Sequence, residues 1–268
     1  MTRRARRWLL CGLVVAGVIG AGLVVWNPWS RVSLEQSTIA LAAPRGATAP
    51  AGRDDVLAVI YSGDGGWADL DKHLGDVFVA RGIPVLGVST FKYYWRSRTV
   101  EESAAQLDAL LDRYLAQWGK RRVWLVGYSF GADVLPSIIA RLRPEHRAAI
   151  AQLVLLAPSR DVTFEIELEG YMIKQTWFTE HFKRAMQHIN PVQHESALPP
   201  LLALHGQPPV ACFYGLDDAD DSLCTIPGAP AWLQVHPKPG DHHFAGGYQP
   251  LANELLQELP AVTSVESP

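Results

Sequence analysis

Apolar runs and amphipathic stretches alternate along the chain from Val56 onwards. Continuous apolar runs are typical of strands buried on both faces of a sheet, and apolar residues spaced at i, i+3 and i+4 are typical of helices. The runs predict strands at Val56–Tyr61, Ile83–Val88, Val123–Gly127, Leu153–Ala157, Val210–Tyr214 and Trp232–His236. The amphipathic stretches predict helices at Trp67–Ala80, Thr99–Trp118, Phe130–Leu142 and Tyr248–Leu259. This alternation predicts an α/β fold with a mostly parallel sheet and helices on both faces.

Three further segments lie outside this regular pattern. At Phe164–Glu169 three apolar residues alternate with three glutamates, which predicts a half-exposed strand or a lid element. Trp177–Ile189 is predicted to form a helix that ends before Pro191. A short strand is predicted near Ser37–Leu41, inside a stretch rich in alanine, proline, serine and glycine.

The first thirty residues are predicted to be a targeting segment. Four arginines precede an uncharged run of 19 residues, Trp8–Trp26. A basic start followed by an apolar stretch is typical of a Sec-type export signal, and this run is nearly long enough to span a bilayer. We therefore expect either a cleaved signal peptide or a retained anchor, with the domain in the periplasm. The predicted organisation is a signal or anchor at 1–30, a linker at 31–54, an α/β domain at 55–260 and a tail at 261–268.

Size and composition restrict the classes of protein to which this chain can belong. At 268 residues, with 48% of them hydrophobic, the chain fits one large α/β domain. Only 19% of the residues are charged and no basic stripe is present, so we expect no nucleic-acid partner. Without the four N-terminal arginines the formal net charge changes from −3 to −7. An acidic domain suits a cationic or polar substrate better than an anionic one.

A G-x-S-x-G sequence occupies Gly127–Gly131. It lies where a buried strand is predicted to end and a helix to begin, as in the nucleophile elbow of α/β-hydrolases, whose sharp turn exposes a serine above the sheet. The helix N-terminus would also stabilise the negative charge that develops during attack. This context favours Ser129 as a nucleophile over an ordinary glycine-rich turn.

A glycine-rich loop, Ser62–Trp67, follows the first predicted strand of the domain. In an α/β-hydrolase this loop supplies one N–H group of the oxyanion hole, and the residue after the nucleophile supplies another. We assign these two donors to the backbones of Asp64 and Phe130. A phosphate-binding loop is the alternative, but the sequence lacks the glycine-rich phosphate motifs, and the Asp64 carboxylate would repel phosphate.

The acid and the base are expected after later strands, because an α/β-hydrolase orders its catalytic residues as serine, acid and histidine. Four aspartates lie within residues 217–221, and the spacing from the preceding glycine favours Asp218 as the acid, with Asp221 as the alternative. Two adjacent histidines follow the last strand, and His242 is favoured as the general base, with His243 as the alternative. No zinc motif is present, so we expect neither a metal nor a cofactor.

Two cysteines, Cys212 and Cys224, flank the aspartate loop. In an oxidising compartment they could form a disulfide, the alternative being two separate buried thiols. A disulfide at this place would fix the loop that carries the predicted acid.

Three sequence blocks together resemble the VirJ/AcvB family of bacterial virulence-associated proteins, namely Ser62–Trp67, Gly127–Asp133 and Gly240–Phe244. The resemblance extends from about residue 55 to residue 258. It implies an α/β-hydrolase of the bacterial envelope, in the single-domain form of the family. It also implies hydrolysis of aminoacylated phosphatidylglycerol such as lysyl-phosphatidylglycerol.

On this resemblance, Ser129 would attack the aminoacyl ester with His242 as general base, and the partner would be a lipid ester at a membrane surface. The positive charges of a lysyl group would meet either the glutamates within residues 165–169 or the aspartate loop. Two alternatives stay open. One is a periplasmic esterase or thioesterase with a small-molecule substrate, and the other is a secretion or virulence accessory protein that binds a partner without turnover.

Overall fold

A single sheet of seven strands forms the centre of the computed structural model, which describes residues 31–166 and 194–262. The strands of the described residues are β1 (Thr38–Leu41), β2 (Val56–Tyr61), β3 (Val85–Val88), β4 (Arg122–Tyr128), β5 (Ile150–Leu156), β6 (Asp161–Val162), β7 (Glu195–Ser196), β8 (Val210–Gly215) and β9 (Gln234–Lys238). The order in the sheet is β1-β3-β2-β4-β5-β8-β9, and β6 pairs with β7 separately. Every pair in the large sheet is parallel except β1 with β3. The prediction of a mostly parallel sheet is therefore confirmed.

Helices connect most of these strands. Over the described residues they are α1 (Asp69–Ala80), α2 (Thr90–Tyr93), α3 (Val100–Trp118), α4 (Phe130–Ile139), α5 (Pro144–Ala149), α6 (Leu198–Leu202) and α7 (Tyr248–Glu258). The start of α3 follows from its sequence, because the Thr99 hydroxyl accepts a hydrogen bond from the Glu102 N–H at 3.0 Å. Its end follows too, because Gly119 adopts a left-handed conformation with φ 60°.

Apolar side chains fill a layer on each face of the sheet. On one face, Leu107 of α3 and Ile138 of α4 are fully buried against the strands. On the other face, Phe78 of α1 and Leu255 of α7 are fully buried. Burial of such a side chain stabilises the fold by about 1.5–3 kcal/mol. Because helices cover both faces, the central strands need apolar residues at consecutive positions, which explains the continuous apolar runs.

In two short segments the structure differs from the sequence prediction. The strand predicted near Ser37–Leu41 is present as β1, and it pairs antiparallel with β3, so the main sheet extends into the stretch interpreted as a linker. No strand forms at 164–166, the described part of Phe164–Glu169. There the Ile166 N–H donates to the Tyr94 carbonyl at 2.8 Å, so backbone groups are satisfied by the loop after α2 rather than by a strand.

Two predictions fall outside the described residues, namely the signal or anchor at 1–30 and the helix at Trp177–Ile189. The last two glutamates of the acidic stretch, Glu167 and Glu169, also lie outside them. Across 31–166 and 194–262, no helix has the length and apolar character needed to cross a membrane.

The four sequence blocks with candidate chemistry all follow the carboxyl ends of strands. Tyr61 of β2 lies opposite Gly127 of β4, and Gly215 of β8 lies opposite Lys238 of β9. These strands are parallel, so the loops that follow them emerge at the same edge of the sheet. This edge is where ligands bind in open α/β folds.

Candidate active site

Ser129 lies in a sharp turn between β4 and α4, with φ 52° and ψ −123°. Such a positive φ is uncommon for a residue with a side chain, and strain of this kind costs about 1–3 kcal/mol. The surroundings hold the turn, because the Ser129 N–H donates to the Leu156 carbonyl at the end of β5 at 2.8 Å. The Ser129 carbonyl accepts from the Ala132 N–H at 2.7 Å. This conformation is that of a nucleophile elbow.

The two glycines of the motif are required by close backbone contacts. A Cβ atom at Gly127 would lie 2.6 Å from the Ala132 nitrogen, and one at Gly131 would lie 2.3 Å from the Tyr61 carbonyl oxygen. Both obstacles are backbone atoms, which cannot move aside as the end of a flexible side chain can. The close packing of β2, β4 and α4 around the turn thus explains both glycines.

The glycine-rich loop after β2 lies beside the elbow. A Cβ atom at Gly63 would lie 3.5 Å from the Ser129 Cβ atom and 3.3 Å from the Tyr128 ring. The backbone N–H groups of Asp64 and Phe130 donate to no carbonyl within the described parts of the chain. The two groups predicted for an oxyanion hole therefore lie on segments that flank Ser129, without a carbonyl acceptor of their own.

The aspartate loop, which carries the aspartates of residues 217–221, packs against the histidine loop, which carries His242 and His243. A Cβ atom at Gly215, the last residue of β8, would lie 2.2 Å from the Asp241 carbonyl oxygen, so only glycine allows this approach. The Asp217 N–H donates to the Gly240 carbonyl at 3.0 Å. These backbone contacts hold the two loops together, and the charge of Asp218 acts on His242, although the two side chains form no direct hydrogen bond in the described structure.

His242 is half-buried, and its ring centroid lies 5.4 Å from that of Tyr128, the residue before Ser129. Burial lowers the pKa of His242 below its ordinary value of 6.5, and the neighbouring His243 lowers it further. The carboxylate of Asp218 acts in the opposite direction and raises this pKa. The net result favours the neutral imidazole, which is the form that can accept a proton from serine.

The two predicted alternatives differ in their surroundings. His243 is exposed, and its Nδ1 atom lies 3.0 Å from the Tyr128 hydroxyl. Among the aspartates of residues 217–221, Asp218 is the half-buried one and Asp221 is exposed. These observations favour the pair Asp218 and His242 over the pair of alternatives.

Replacing Asp218 by asparagine is expected to lower kcat by about 10²–10⁴-fold, because an uncharged partner no longer stabilises the imidazolium that forms during attack. The matched variant is Asp221→Asn, for which we expect a loss of less than about tenfold, since an exposed carboxylate contributes little to a buried charge. Steady-state hydrolysis of a p-nitrophenyl ester measures both. Equal losses in the two variants would contradict the assignment.

The histidine loop is held between β9 and α7 by ion pairs. His236 Nδ1 lies 3.2 Å from a Glu258 oxygen, and Lys238 Nζ lies 2.6 Å from Glu254 Oε2. Within the described residues, His236, Glu254 and Glu258 form the one group whose ligand atoms are close enough for a metal ion. Lys238 already neutralises Glu254, so we interpret the group as an ion-pair network that fixes the ends of the loop.

Cys212 of β8 and Cys224 form a disulfide, with a Cα–Cα distance of 5.6 Å. The bond closes a loop over a sequence separation of 12, and this loop contains the four aspartates. Of the two alternatives for these cysteines, the disulfide is therefore the one present in the structure. The bond restricts the segment that carries Asp218. In the chain-entropy description such a closure contributes about 3 kcal/mol.

Asp133 is a buried acid that the sequence did not single out as functional. It lies in the first turn of α4, and its Oδ1 atom accepts from the Ser159 N–H at 2.7 Å. Burial raises the pKa of Asp133 to about 8, and the nearby charge of Asp64 contributes to the shift. The only available signal was a charged residue inside an otherwise apolar helix, which marks an unusual site without giving its partner.

The raised pKa of Asp133 predicts a pH dependence of stability. Since the native state keeps this proton up to about pH 8, whereas the unfolded chain loses it near 3.8, native stability is lost as the pH rises through this window. The Asp133→Asn variant removes the titration and keeps an oxygen for the Ser159 N–H. We expect its free energy of unfolding, relative to the wild type, to increase by more than about 1 kcal/mol between acidic and alkaline buffer. Urea unfolding measures this, and a constant difference would contradict the prediction.

The family comparison decides the relationship of this chain to known proteins. Residues 55–263 match the family described as bacterial virulence protein VirJ. The chain belongs to the VirJ family. The match covers β2 to α7 and so includes the four loops of the candidate site, which agrees with the resemblance seen in the three sequence blocks. Comparison with curated protein sequences gives no significant match.

Solved structures similar to this VirJ-family chain share its fold. The proline iminopeptidase of Mycobacterium smegmatis superposes with a TM-score of 0.50 at 10% identity, over 83% of this chain and 93% of that one. An esterase of Pyrococcus furiosus superposes with a TM-score of 0.52 at 11% identity, over 82% of this chain and 88% of that one. At such low identity the similarity shows the fold alone. The VirJ-family domain therefore has an α/β-hydrolase fold, as its sequence predicted.

Proposed function

We propose that this chain is a serine hydrolase that works through an acyl-enzyme on Ser129. The observation that carries the proposal is the strained Ser129 beside the Gly63 loop, at the same sheet edge as His242 and Asp218. Ser129 Oγ attacks the ester carbonyl while His242 accepts its proton, and the N–H groups of Asp64 and Phe130 stabilise the oxyanion.

The second half of the reaction regenerates the enzyme. His242 donates its proton to the departing alcohol oxygen as the carbon–oxygen bond breaks, which leaves the acyl group on Ser129. A water molecule then attacks the acyl-enzyme and gives a proton to His242. The acid product leaves as the proton returns to Ser129, and one ester bond and one water have been consumed.

The proposed substrate is aminoacylated phosphatidylglycerol of the lysyl-phosphatidylglycerol type, and the ester cleaved joins the amino acid to glycerol. The resemblance of the three sequence blocks to the VirJ/AcvB family implies this substrate class. The carboxylates of Asp64, Asp218 and Asp241 all act on His242, so the site has a negative potential that suits a cationic acyl group. The products would be free amino acid and phosphatidylglycerol.

We place this reaction in the bacterial envelope, either in the periplasm or at the outer surface of the inner membrane. The disulfide Cys212–Cys224 supports an oxidising compartment. The basic and apolar start of the chain supports export, with or without retention as an anchor.

The test is hydrolysis of lysyl-phosphatidylglycerol in mixed vesicles by the full chain in mild detergent, with free lysine and phosphatidylglycerol measured by mass spectrometry. We expect equimolar release of both products by the wild type and none by Ser129→Ala. Cleavage of p-nitrophenyl esters without lysine release would leave a serine esterase and remove the lipid substrate. Turnover of neither substrate would instead favour a binding protein that retains the fold.

A further inference from the structure

The Asp64 side chain lies in the candidate active site although its predicted catalytic role uses only its backbone. Asp64 follows Gly63, which contacts the elbow, and its carboxylate is half-buried. Its charge acts on His242 and also on Asp133 behind the elbow. The carboxylate therefore lies near enough to the nucleophile turn and to the histidine loop for its charge to act on both.

Within residues 31–166 and 194–262, the Asp64 carboxylate has no lysine or arginine as an ion-pair partner. Burial raises the pKa of Asp64, and the groups that oppose the rise are the N–H groups of Gly65 and Asp64 itself, together with His242. A partly buried carboxylate beside a histidine that favours its neutral form gains stability when a ligand supplies positive charge.

The neighbouring acids have other partners. Asp133 is buried and accepts from the Ser159 N–H, so its carboxyl group is already occupied within the protein. Asp218 also acts on His242, and the catalytic scheme uses its carboxylate to stabilise the imidazolium. Asp241 is exposed, and its Oδ1 atom accepts from the His243 N–H at 2.9 Å. Asp64 is thus the half-buried acid near His242 whose carboxylate the catalytic scheme leaves without a role.

The position of Asp64 also determines which atoms of the substrate its carboxylate can reach. Its N–H, which also interacts with its own carboxylate, is the predicted donor to the carbonyl oxygen of the substrate, so the carboxylate lies close to the place of that oxygen. In an α-amino acid ester, two bonds separate the carbonyl carbon from the amine nitrogen. A carbonyl oxygen on the Asp64 N–H therefore brings the amine within reach of the Asp64 side chain, and both contacts orient the same acyl group.

We propose that the Asp64 carboxylate binds the α-ammonium group of the acyl moiety and makes the enzyme selective for α-aminoacyl esters over plain acyl esters. The proposal rests on the serine hydrolase function given above, but it does not depend on a lipid as the alcohol. The distal ammonium of a lysyl group lies several bonds further from the ester carbonyl than the α-ammonium, and it is not the group that Asp64 binds in this proposal.

The test compares two esters that differ in one group, alanine p-nitrophenyl ester and propionate p-nitrophenyl ester. The readout is the ratio of kcat/KM for the alanyl ester to that for the propionyl ester, after subtraction of spontaneous hydrolysis. A general disturbance of the oxyanion loop lowers both rates and cancels in this ratio. We expect Asp64→Asn to lower the ratio by about 10–100-fold, because a charge-assisted hydrogen bond is lost.

Two further variants test whether the selectivity depends on the charge at position 64. Asp64→Glu keeps the charge and should restore most of the selectivity, which a purely structural role of Asp64 would not predict. Asp220→Asn removes an exposed carboxylate of the aspartate loop, and its ratio should equal that of the wild type. A decrease of the same size in Asp220→Asn would show that the overall negative potential, not Asp64, selects the ammonium, and would overturn the proposal.

The outcomes separate this proposal from the lipid hydrolase function. Lysine release from lysyl-phosphatidylglycerol with an unchanged ester ratio in Asp64→Asn overturns the role of Asp64 alone. A ratio that falls in Asp64→Asn, without lysine release by the wild type, supports Asp64 and removes the lipid. Equal cleavage of both esters by the wild type and Ser129→Ala overturns both.

Discussion

Replacing Ser129 by alanine is expected to lower kcat/KM for any ester substrate by about 10⁴–10⁶-fold, the loss seen when a serine hydrolase is deprived of its nucleophile. The remaining rate would come from the oxyanion donors and from substrate binding, neither of which needs the hydroxyl group. A continuous p-nitrophenyl ester assay with the full chain measures the loss. Retention of more than about a tenth of the activity would exclude Ser129 as the nucleophile.

Covalent labelling provides an independent measurement of the same residue. A fluorophosphonate probe should add its mass to the wild type and leave Ser129→Ala unmodified, because only an activated serine reacts with such probes. The exposed Ser196 of β7 is the matched position, and Ser196→Ala should be labelled like the wild type. Thermal unfolding of Ser129→Ala should resemble that of the wild type, because alanine tolerates the turn as well as serine does.

Replacing His242 by alanine should remove nearly as much activity as the loss of Ser129, since nucleophile and base act as one unit. The matched variant His243→Ala should lose less than about tenfold, because His243 is exposed and hydrogen-bonded to the Tyr128 hydroxyl. The same ester assay measures both. If His243→Ala were the more damaging change, the base would be His243, and the roles of the two residues would be reversed.

The pH profile of the wild type adds a second readout for His242. The basic form of the imidazole is active, so kcat/KM should rise with pH and reach a plateau. Burial and His243 lower the pKa of His242, so the midpoint of the rise should lie below the ordinary value of 6.5. A midpoint well above this value would mean that the carboxylates around the ring outweigh its burial.

The strand and helix pattern was predictable where burial is complete. β2 occupies Val56–Tyr61 as predicted, because a strand covered on both faces needs an uninterrupted apolar run. The short helices α2 and α5 were not predicted, since four and six residues are too few to show helical periodicity. Of the two structures predicted for Phe164–Glu169, a half-exposed strand or a lid element, the strand does not form at 164–166, because an alternating pattern does not specify which neighbour satisfies the backbone.

The candidate site was predictable in its loops and less so in its contacts. A serine after an apolar strand and before an apolar helix is a local pattern, so Ser129 could be selected from sequence. The surroundings that distinguish His242 from His243 come from Tyr128 and Asp218, which are far away in the chain. The burial of Asp133 and the position of the Asp64 carboxylate likewise depend on how the loops pack, which no spacing rule contains.

The two edges of the sheet have a consequence for the behaviour of the protein at high concentration. One edge is β1, only four residues long, and the other is β9, with five. Pro237 of β9 has no N–H group to offer to an incoming strand. A strand from a second molecule could therefore form only a few backbone hydrogen bonds with β1, and only an interrupted series of them with β9. This disfavours self-association by strand addition.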